Sequence, residues 1–426
     1  MKTIMVVGPV LSQTGYGEQC RFALRSLLAY PERFDVYIKP IHWGQSSCLL
    51  PNDPERDWID PVIQKSIAWF QAPEGQRLPM EISLQVTIPN EWERITPTNI
   101  GYTAGIETTK VAPGWIEKSK LMDKIITISN HSRDVFLQTV YEAVVNETEQ
   151  KVEYRCDTPI DVVHYPVRNY DNVDLNIELE HDFNYLVVSQ WGPRKNIENT
   201  IRWWVEEFKD SEVGLVVKTN LVKTSQVDRE FTKARLQMLL AAYPDRKCKV
   251  YLIHGNMKPE EMSSLYSHPK IKCIVSLTHG EGFGLPLFEA AYNGLPVIAP
   301  DWSGHKDFLY APIATKSKGK KVTKIKNCFL KVDYTLKPVQ PEAVWDGVIN
   351  ADSQWCFADE KSYKKQLRNM FIEYDRRKHL AIKLQKYLID TFTSETQYEQ
   401  FAEAVWKEES FEVEDWLKEL ETQVHE

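Results

Sequence analysis

A chain of 426 residues and 49.6 kDa is too long for one hydrophobic core, so two domains of roughly 150–200 residues each are expected. With 42% hydrophobic and 26% charged residues, and 18 Gly and 23 Pro in all, a disordered or fibrous chain is excluded. The net charge of −8 gives no global attraction to a polyanion, although a local basic stripe remains able to bind one.

Seven scattered cysteines without a C-x-x-C pair argue against a zinc knuckle or a disulfide framework, and for a reducing, cytoplasmic setting. The opening MKTIMVVGPV has too short an apolar run for a leader and reads as a first strand. No stretch approaches the ~18 apolar residues of a membrane span.

The elements alternate from the start. Ile4 to Val7 reads as a buried strand, Tyr16 to Tyr30 as a helix through Phe22, Leu24, Leu27 and Leu28, and Phe34 to Ile41 as a second strand. This β-α-β opening predicts a parallel sheet with crossover helices. Further strands are expected at Glu81 to Ile88, Asn99 to Ala104, Lys124 to Ser129 and Asp161 to His164, with a helix over Asn130 to Tyr141. Periodicity is lost from Arg168 to His181, which reads as a connector.

A second series follows: strands at Tyr185 to Ser189, Val213 to Lys218, Lys249 to His254, Cys273 to Ser276 and Val297 to Ala299, and helices at Asn196 to Phe208, Arg229 to Ala242 and Leu285 to Tyr292. The composition of Lys361 to Glu426 is helical throughout, with acids crowding the last twenty residues. The expected organisation is an α/β chain with two Rossmann-like halves, 1–180 and 181–385, and a helical segment 386–426 packing back on the first half.

The chemistry concentrates in SLTHGEGFGLPLFEAAYNGLPVIAPDWSGHKD, residues 276–307. A strand runs into a glycine-bearing loop that opens a helix. There Gly282 and Gly284 allow close backbone approach, and the free N–H groups at the helix start favour an anion such as phosphate. Glu281 precedes that helix and Glu289 lies within it, a pairing suited to hydroxyl recognition.

This stretch resembles the E-x7-E signature of retaining GT-B glycosyltransferases of the family 4 type. The resemblance implies two Rossmann-like domains facing across a cleft. It places Glu281 beside the donor sugar, Glu289 on the nucleotide ribose, and the backbone of Gly282, Phe283, Gly284 and Leu285 on sugar hydroxyls and diphosphate. Gly8 with Gly15-Tyr16-Gly17 resembles the family's first glycine loop, and residues 101–109 and 123–130 an N-domain block in which Glu107 stands beside the reacting sugar. SQWGPRKN, residues 189–196, resembles the start of the family's C-terminal domain, with Lys195 as the diphosphate lysine.

The arginine usual five residues before that lysine is Gln190 here, leaving Arg194 or Lys218 to supply the second cation. The N-domain block also lacks the family's histidine, while His131 and His279 lie near relevant blocks. The resemblance implies transfer with retention from a nucleotide-sugar donor to an acceptor hydroxyl. No metal or other cofactor is implied, and no D-x-D pair occurs.

A dinucleotide-binding dehydrogenase fits poorly, because Cys20 takes the third glycine position and the second strand ends in Lys39-Pro40 without a ribose-binding acid. A nucleotide-sugar epimerase, a sugar phosphorylase or a non-catalytic glycan-binding protein would share the architecture. A glycan or lipid-linked glycan is the expected acceptor. DNA carrying a hydroxymethylated base is the alternative, because residues 316–326 hold six lysines and no acid. That run reads as a solvated loop or as a phosphate-tracking patch.

Overall fold

The computed structural model describes residues 1–44, 46–144, 151–317 and 320–407, apart from the side chains of 315–317, 320 and 321. The acid-rich end of the chain and part of the lysine run therefore lie outside the described residues.

The N lobe comprises β1 (Lys2–Gly8), α1 (Gly15–Leu28), β2 (Phe34–Pro40), α2 (Arg56–Gln71), β3 (Ile82–Val86), β4 (Thr98–Thr103), α3 (Pro113–Ser119), β5 (Lys124–Thr127), α4 (Asn130–Gln138), β6 (Val140–Val144), β7 (Lys151–Arg155) and β8 (Ile160–Val162). Six of its strands form a parallel sheet in the order β2-β1-β3-β4-β5-β8. Runs such as Ile4, Met5 and Val6 are buried because helices cover both faces of such a sheet.

The C lobe holds β9 (Asn184–Val188), α5 (Ile197–Phe208), β10 (Gly214–Lys218), α6 (Gln226–Leu240), β11 (Lys249–Ile253), α7 (Pro259–Ser267), β12 (Ile271–Val275), α8 (Leu285–Tyr292), β13 (Val297–Pro300), α9 (Lys306–Leu309), β14 (Tyr310–Ser317), β15 (Lys320–Asn327), β16 (Leu330–Val332), β17 (Tyr334–Pro338) and β18 (Gln354–Ala358). Its parallel sheet runs β11-β10-β9-β12-β13-β16. Strand order reverses between β1 and β3 in one lobe and between β9 and β12 in the other. Such points open a crevice at the strands' carboxyl ends, where open α/β sheets bind ligands.

Helices α10 (Glu360–Ile372), α11 (Tyr374–Thr391) and α12 (Ser394–Val405) complete the described chain. The expected helical stretch is made of separate helices, with breaks at Glu373 and at Phe392-Thr393. Helix α11 runs through the expected 385/386 boundary, because Leu384 and Leu388 share one buried face. Helix α12 returns to the N lobe, where Phe401 meets Phe22 and Tyr102 with ring centroids 5.2 and 5.0 Å apart. Burying a side chain of that size is worth about 1.5–3 kcal/mol.

One expectation needs correction. Helix α4 stops at Gln138, three residues before its expected end: the Thr139 hydroxyl donates back to the Val135 carbonyl, and Val140 enters strand β6. The sequence reading also missed a strap. β17 and β18 pair as a hairpin whose loop reaches the N lobe, burying Val348 in the cluster that contains Trp92, Trp115 and Ile106. Its return strand exchanges hydrogen bonds with Thr109, whose N–H donates to the Gln354 carbonyl at 2.9 Å, and Lys110 pairs with Asp352 at 2.8 Å.

Candidate active site

Strand β9 leads into a short 3-10 turn, Pro193–Lys195, which ends on Asn196 in the left-handed region at φ 51°. The Asn196 amide donates to the Leu277 carbonyl at 3.2 Å, tying this turn to the loop after β12. Adjacent cations are thereby delivered to that loop. Lys195 Nζ donates to Glu281 Oε1 and Oε2 at 2.6 and 2.8 Å. Arg194 donates to the Gly280 carbonyl at 2.7 Å, stands 3.4 Å from Glu281 and pairs with Glu107 of the N lobe at 3.1 Å.

These four side chains form a charge-balanced chain across the two lobes. Burial pushes the Glu281 carboxyl up, but Lys195 and Arg194 outweigh it and hold it at about 2. Burial and the neighbouring Arg194 lower the Lys195 ammonium, against the pull of Glu281. Without Glu281 and Glu107 the two cations would carry an uncompensated desolvation cost of several kcal/mol each.

The loop that carries Glu281 packs directly on the N lobe. A side chain on Gly280 would come within 2.3 Å of the Glu107 carbonyl, and one on Gly282 within 2.7 Å of the Ala104 carbonyl. Gly284, at φ +94°, caps α8 in a conformation that L side chains rarely adopt. Among the described residues no acceptor takes the amides of residues 282–285. Four consecutive unpartnered N–H groups at a helix start suit an anion. The Phe283 ring is packed in a cluster with Tyr165 and Phe308, which leaves its backbone N–H as its contribution to this row of amides.

Glu289, one turn into α8, is half-buried and accepts from the Tyr266 hydroxyl at 2.9 Å. Burial raises its carboxyl to about 7, with Glu18 adding to the rise and Tyr266, Arg168 and Lys218 opposing it. Lys218, at the end of β10, has its ammonium lowered by burial and faces Glu289. Arg194 thus stands beside Lys195 at Glu281, while Lys218 lies by Glu289. Gln190 is engaged elsewhere, donating to the Leu221 carbonyl.

The N-lobe glycine loop faces the same ends of the C-lobe strands, since Asn256 after β11 donates to Gln13 at 2.9 Å. Thr14 caps α1 through the Gly17 N–H. Gly17 sits so close that an added Cβ would lie 1.9 Å from the Ser12 carbonyl, whereas at Gly15 nothing lies within 4 Å. Tyr16 donates or accepts at Thr103 Oγ1, 2.8 Å away, placing its hydroxyl beside the 104–107 loop.

Both histidines noted in the sequence are held by packing. His279 stacks on Trp355 at 5.0 Å, with its Nδ1 against the Cys356 carbonyl. His131 lies edge-on to Trp302 at 5.1 Å, and burial lowers its ring to about 4.

A contact the sequence reading missed joins the lobes nearby: Asp307 Oδ2 accepts from the Asn130 N–H at 2.7 Å and stands 2.9 Å from His164 Nε2. Asp307 closes the quoted motif, but nothing in its spacing points to partners 177 and 143 residues away.

Residues 179–311, which include every C-lobe residue of this site, match the family model for glycosyl transferases group 1. The matched domain indicates a glycosyltransferase. No curated protein sequence matches the chain.

Among solved structures, sucrose-phosphate synthase from Thermosynechococcus elongatus is similar at 14% identity and TM-score 0.58, covering 95% of this chain and 98% of that one. A glycosyltransferase from Rickettsia africae ESF-5 gives 12% and 0.56, covering 96% and 99%. Anabaena HepE, solved with UDP and glucose, gives 11% and 0.53, covering 95% and 99%. At these identities the likeness shows the fold, the two-lobed GT-B architecture. Among the described residues no helix is long and apolar enough to cross a membrane.

Proposed function

We propose that this glycosyltransferase moves a sugar from a nucleoside diphosphate sugar to an acceptor hydroxyl, with retention at the anomeric carbon and without a metal ion. The observation that carries the reading is the row of free amides at 282–285, lying between the Lys195–Arg194 cations and the Glu289 carboxylate. A pyrophosphate on those amides puts its negative charge beside the cations, and the ribose hydroxyls within reach of Glu289.

When the donor is absent, Glu281 and Glu107 serve as counter-ions. A bound pyrophosphate takes over that part, drawing Lys195 and Arg194 towards the leaving oxygen. Glu281 then becomes free to accept from sugar hydroxyls. Fixed positive charge where the leaving group gains negative charge is the largest catalytic term such a site supplies. Retention follows the family resemblance: the leaving phosphate and the acceptor hydroxyl share one face of the sugar, and no side chain is assigned as a nucleophile.

A glycan or lipid-linked glycan is the acceptor class proposed, and the seven free cysteines suit a reducing cytoplasm. The test is incubation with a panel of nucleotide sugars, first alone and then with glycans or hydroxymethylated DNA, read by mass. Transfer to a glycan supports the reading, and transfer to DNA alone replaces the acceptor. Interconversion of the donor without transfer or hydrolysis would make the protein an epimerase instead.

A further inference from the structure

Strand β18 pairs with β17 along one edge, and its other edge holds a loop from each lobe. Successive residues of a strand turn their backbone groups to opposite edges, so Gln354 and Cys356 share the free one. At Gln354 that edge takes the N lobe: the Thr109 N–H donates to its carbonyl at 2.9 Å, and its own N–H donates to Thr109 Oγ1 at 3.0 Å. At Cys356 it takes the C lobe: its N–H donates to the His279 carbonyl at 3.0 Å, and its carbonyl accepts from His279 Nδ1. All four backbone groups of these two residues are thereby paired, with a different lobe at each.

The His279 ring is held as firmly as its backbone. Trp355 Nε1, which can only donate, bonds the Gln340 side-chain oxygen at 2.9 Å, and this turns the Gln340 NH2 towards His279 Nε2 at 3.2 Å. Nε2 therefore accepts, and Nδ1 carries the proton that reaches Cys356. Burial disfavours a second proton on the ring, which keeps it in this neutral form. Trp355 and Phe357 pack against it at centroid distances of 5.0 and 4.5 Å.

Thr109 lies two residues after Glu107, and His279 two residues before Glu281. Arg194 spans those carboxylates, 3.1 Å from the first and 3.4 Å from the second. We propose, resting on the reading of Arg194 and Glu281 as part of the donor site, that Thr109 and His279 are positioning residues for the sugar transfer: through the free edge of β18 they hold Glu107 of one lobe in register with Arg194 and Glu281 of the other. The strap is already anchored to the N lobe by buried Val348 and by the Lys110–Asp352 pair. The joint at Gln354 and Cys356 is therefore not needed to tie the lobes together, and what it adds is register at the site. Both residues act through the carboxylates two positions away, where a displacement of about 1 Å is enough to slow a reaction by about 10²-fold.

The test uses the full chain and three substitutions, with circular dichroism confirming that each variant folds. Thr109→Val removes the hydroxyl acceptor at nearly constant shape, Thr109→Ser keeps it, and His279→Phe keeps a packed ring without its two hydrogen bonds. In His279→Phe, peptides spanning residues 104–110 of the opposite lobe exchange hydrogen about fivefold faster, the worth of one lost hydrogen bond. Thr109→Val lowers kcat by about 10- to 100-fold with nucleoside diphosphate affinity unchanged, and Thr109→Ser restores it. In a Glu107→Ala background Thr109→Val costs no further activity, because the group it positions has gone. Unchanged exchange at 104–110 in His279→Phe, a Thr109→Ser variant as slow as Thr109→Val, or an undiminished Thr109→Val effect beside Glu107→Ala would each overturn the proposal. If His279→Phe does not fold, the Thr109 series decides alone. A wild-type chain that transfers no sugar refutes the donor reading and this role with it, whereas the exchange measurement still tells whether β18 couples the lobes.

Discussion

Glu289→Gln separates binding from stability at one atom position. The folded carboxyl titrates at about 7 against an ordinary value of 4.5. Between those pH values the unfolded chain ionises while the folded one stays protonated. The protonated carboxyl thus stabilises the fold fully below 4.5, and that contribution is lost as pH rises through 7. At about 1.4 kcal/mol per pH unit, the gap gives at most about 3 kcal/mol, less whatever solvent reaches this half-buried group.

The glutamine variant, which cannot ionise, should therefore resist urea better than the wild type by about 1–3 kcal/mol at pH 8 and by almost nothing at pH 4. Its nucleotide affinity should move oppositely. Losing hydrogen bonds from ribose hydroxyls to a charged carboxylate costs about 1.5–3 kcal/mol, a loss of roughly 10- to 150-fold in calorimetric titration at pH 8. Wild-type affinity should itself rise between pH 6 and 8. Wild-type nucleotide affinity in the variant, or a stability change of the same size at both pH values, would refute the reasoning.

Lys195→Ala should cut turnover by about 10²–10³-fold while the protein stays folded, because Arg194 remains near Glu281; a wild-type rate would place the cation elsewhere. Gly17→Ala should cost about 1–3 kcal/mol in denaturant titration, given the Ser12 carbonyl in its way, whereas Gly15→Ala should leave the fold intact and weaken donor binding. Equal effects at the two glycines would contradict the distinction. Val348→Asp puts a charge among Trp92, Trp115 and Ile106, so the strap should detach from the N lobe and hydrogen exchange should rise across residues 339–353. Unaltered exchange there would show the strap to be held by its polar contacts alone.

The sheets were legible because parallel strands covered on both faces leave continuous apolar runs, as at Ile4 to Val7 and Tyr185 to Val188, and those runs need no knowledge of partners. The strap, the antiparallel pair β14–β15 and the β6–β7 hairpin were not. Their strands are short or half-exposed, and their pairing depends on what lies opposite. Lys324 and Lys326 look the same on a loop as on a strand. Within the site, the glycine-rich stretch before Glu289 announced itself through glycines that only a crowded turn requires. The departure at Gln190 was visible too, but the sequence could not choose between Arg194 and Lys218, since that choice depends on whether each cation ends beside Glu281 or Glu289. The Asp307 contact with Asn130 and His164 exists only once the lobes meet.

The most direct test of the central claim is a crystal structure of the protein with a nucleoside diphosphate sugar. The account predicts pyrophosphate oxygens on the amides of residues 282–285, Lys195 turned towards them, and the ribose hydroxyls on Glu289. A nucleotide bound elsewhere, with the Lys195–Glu281 pair undisturbed and Glu289 still held only by Tyr266, would contradict it.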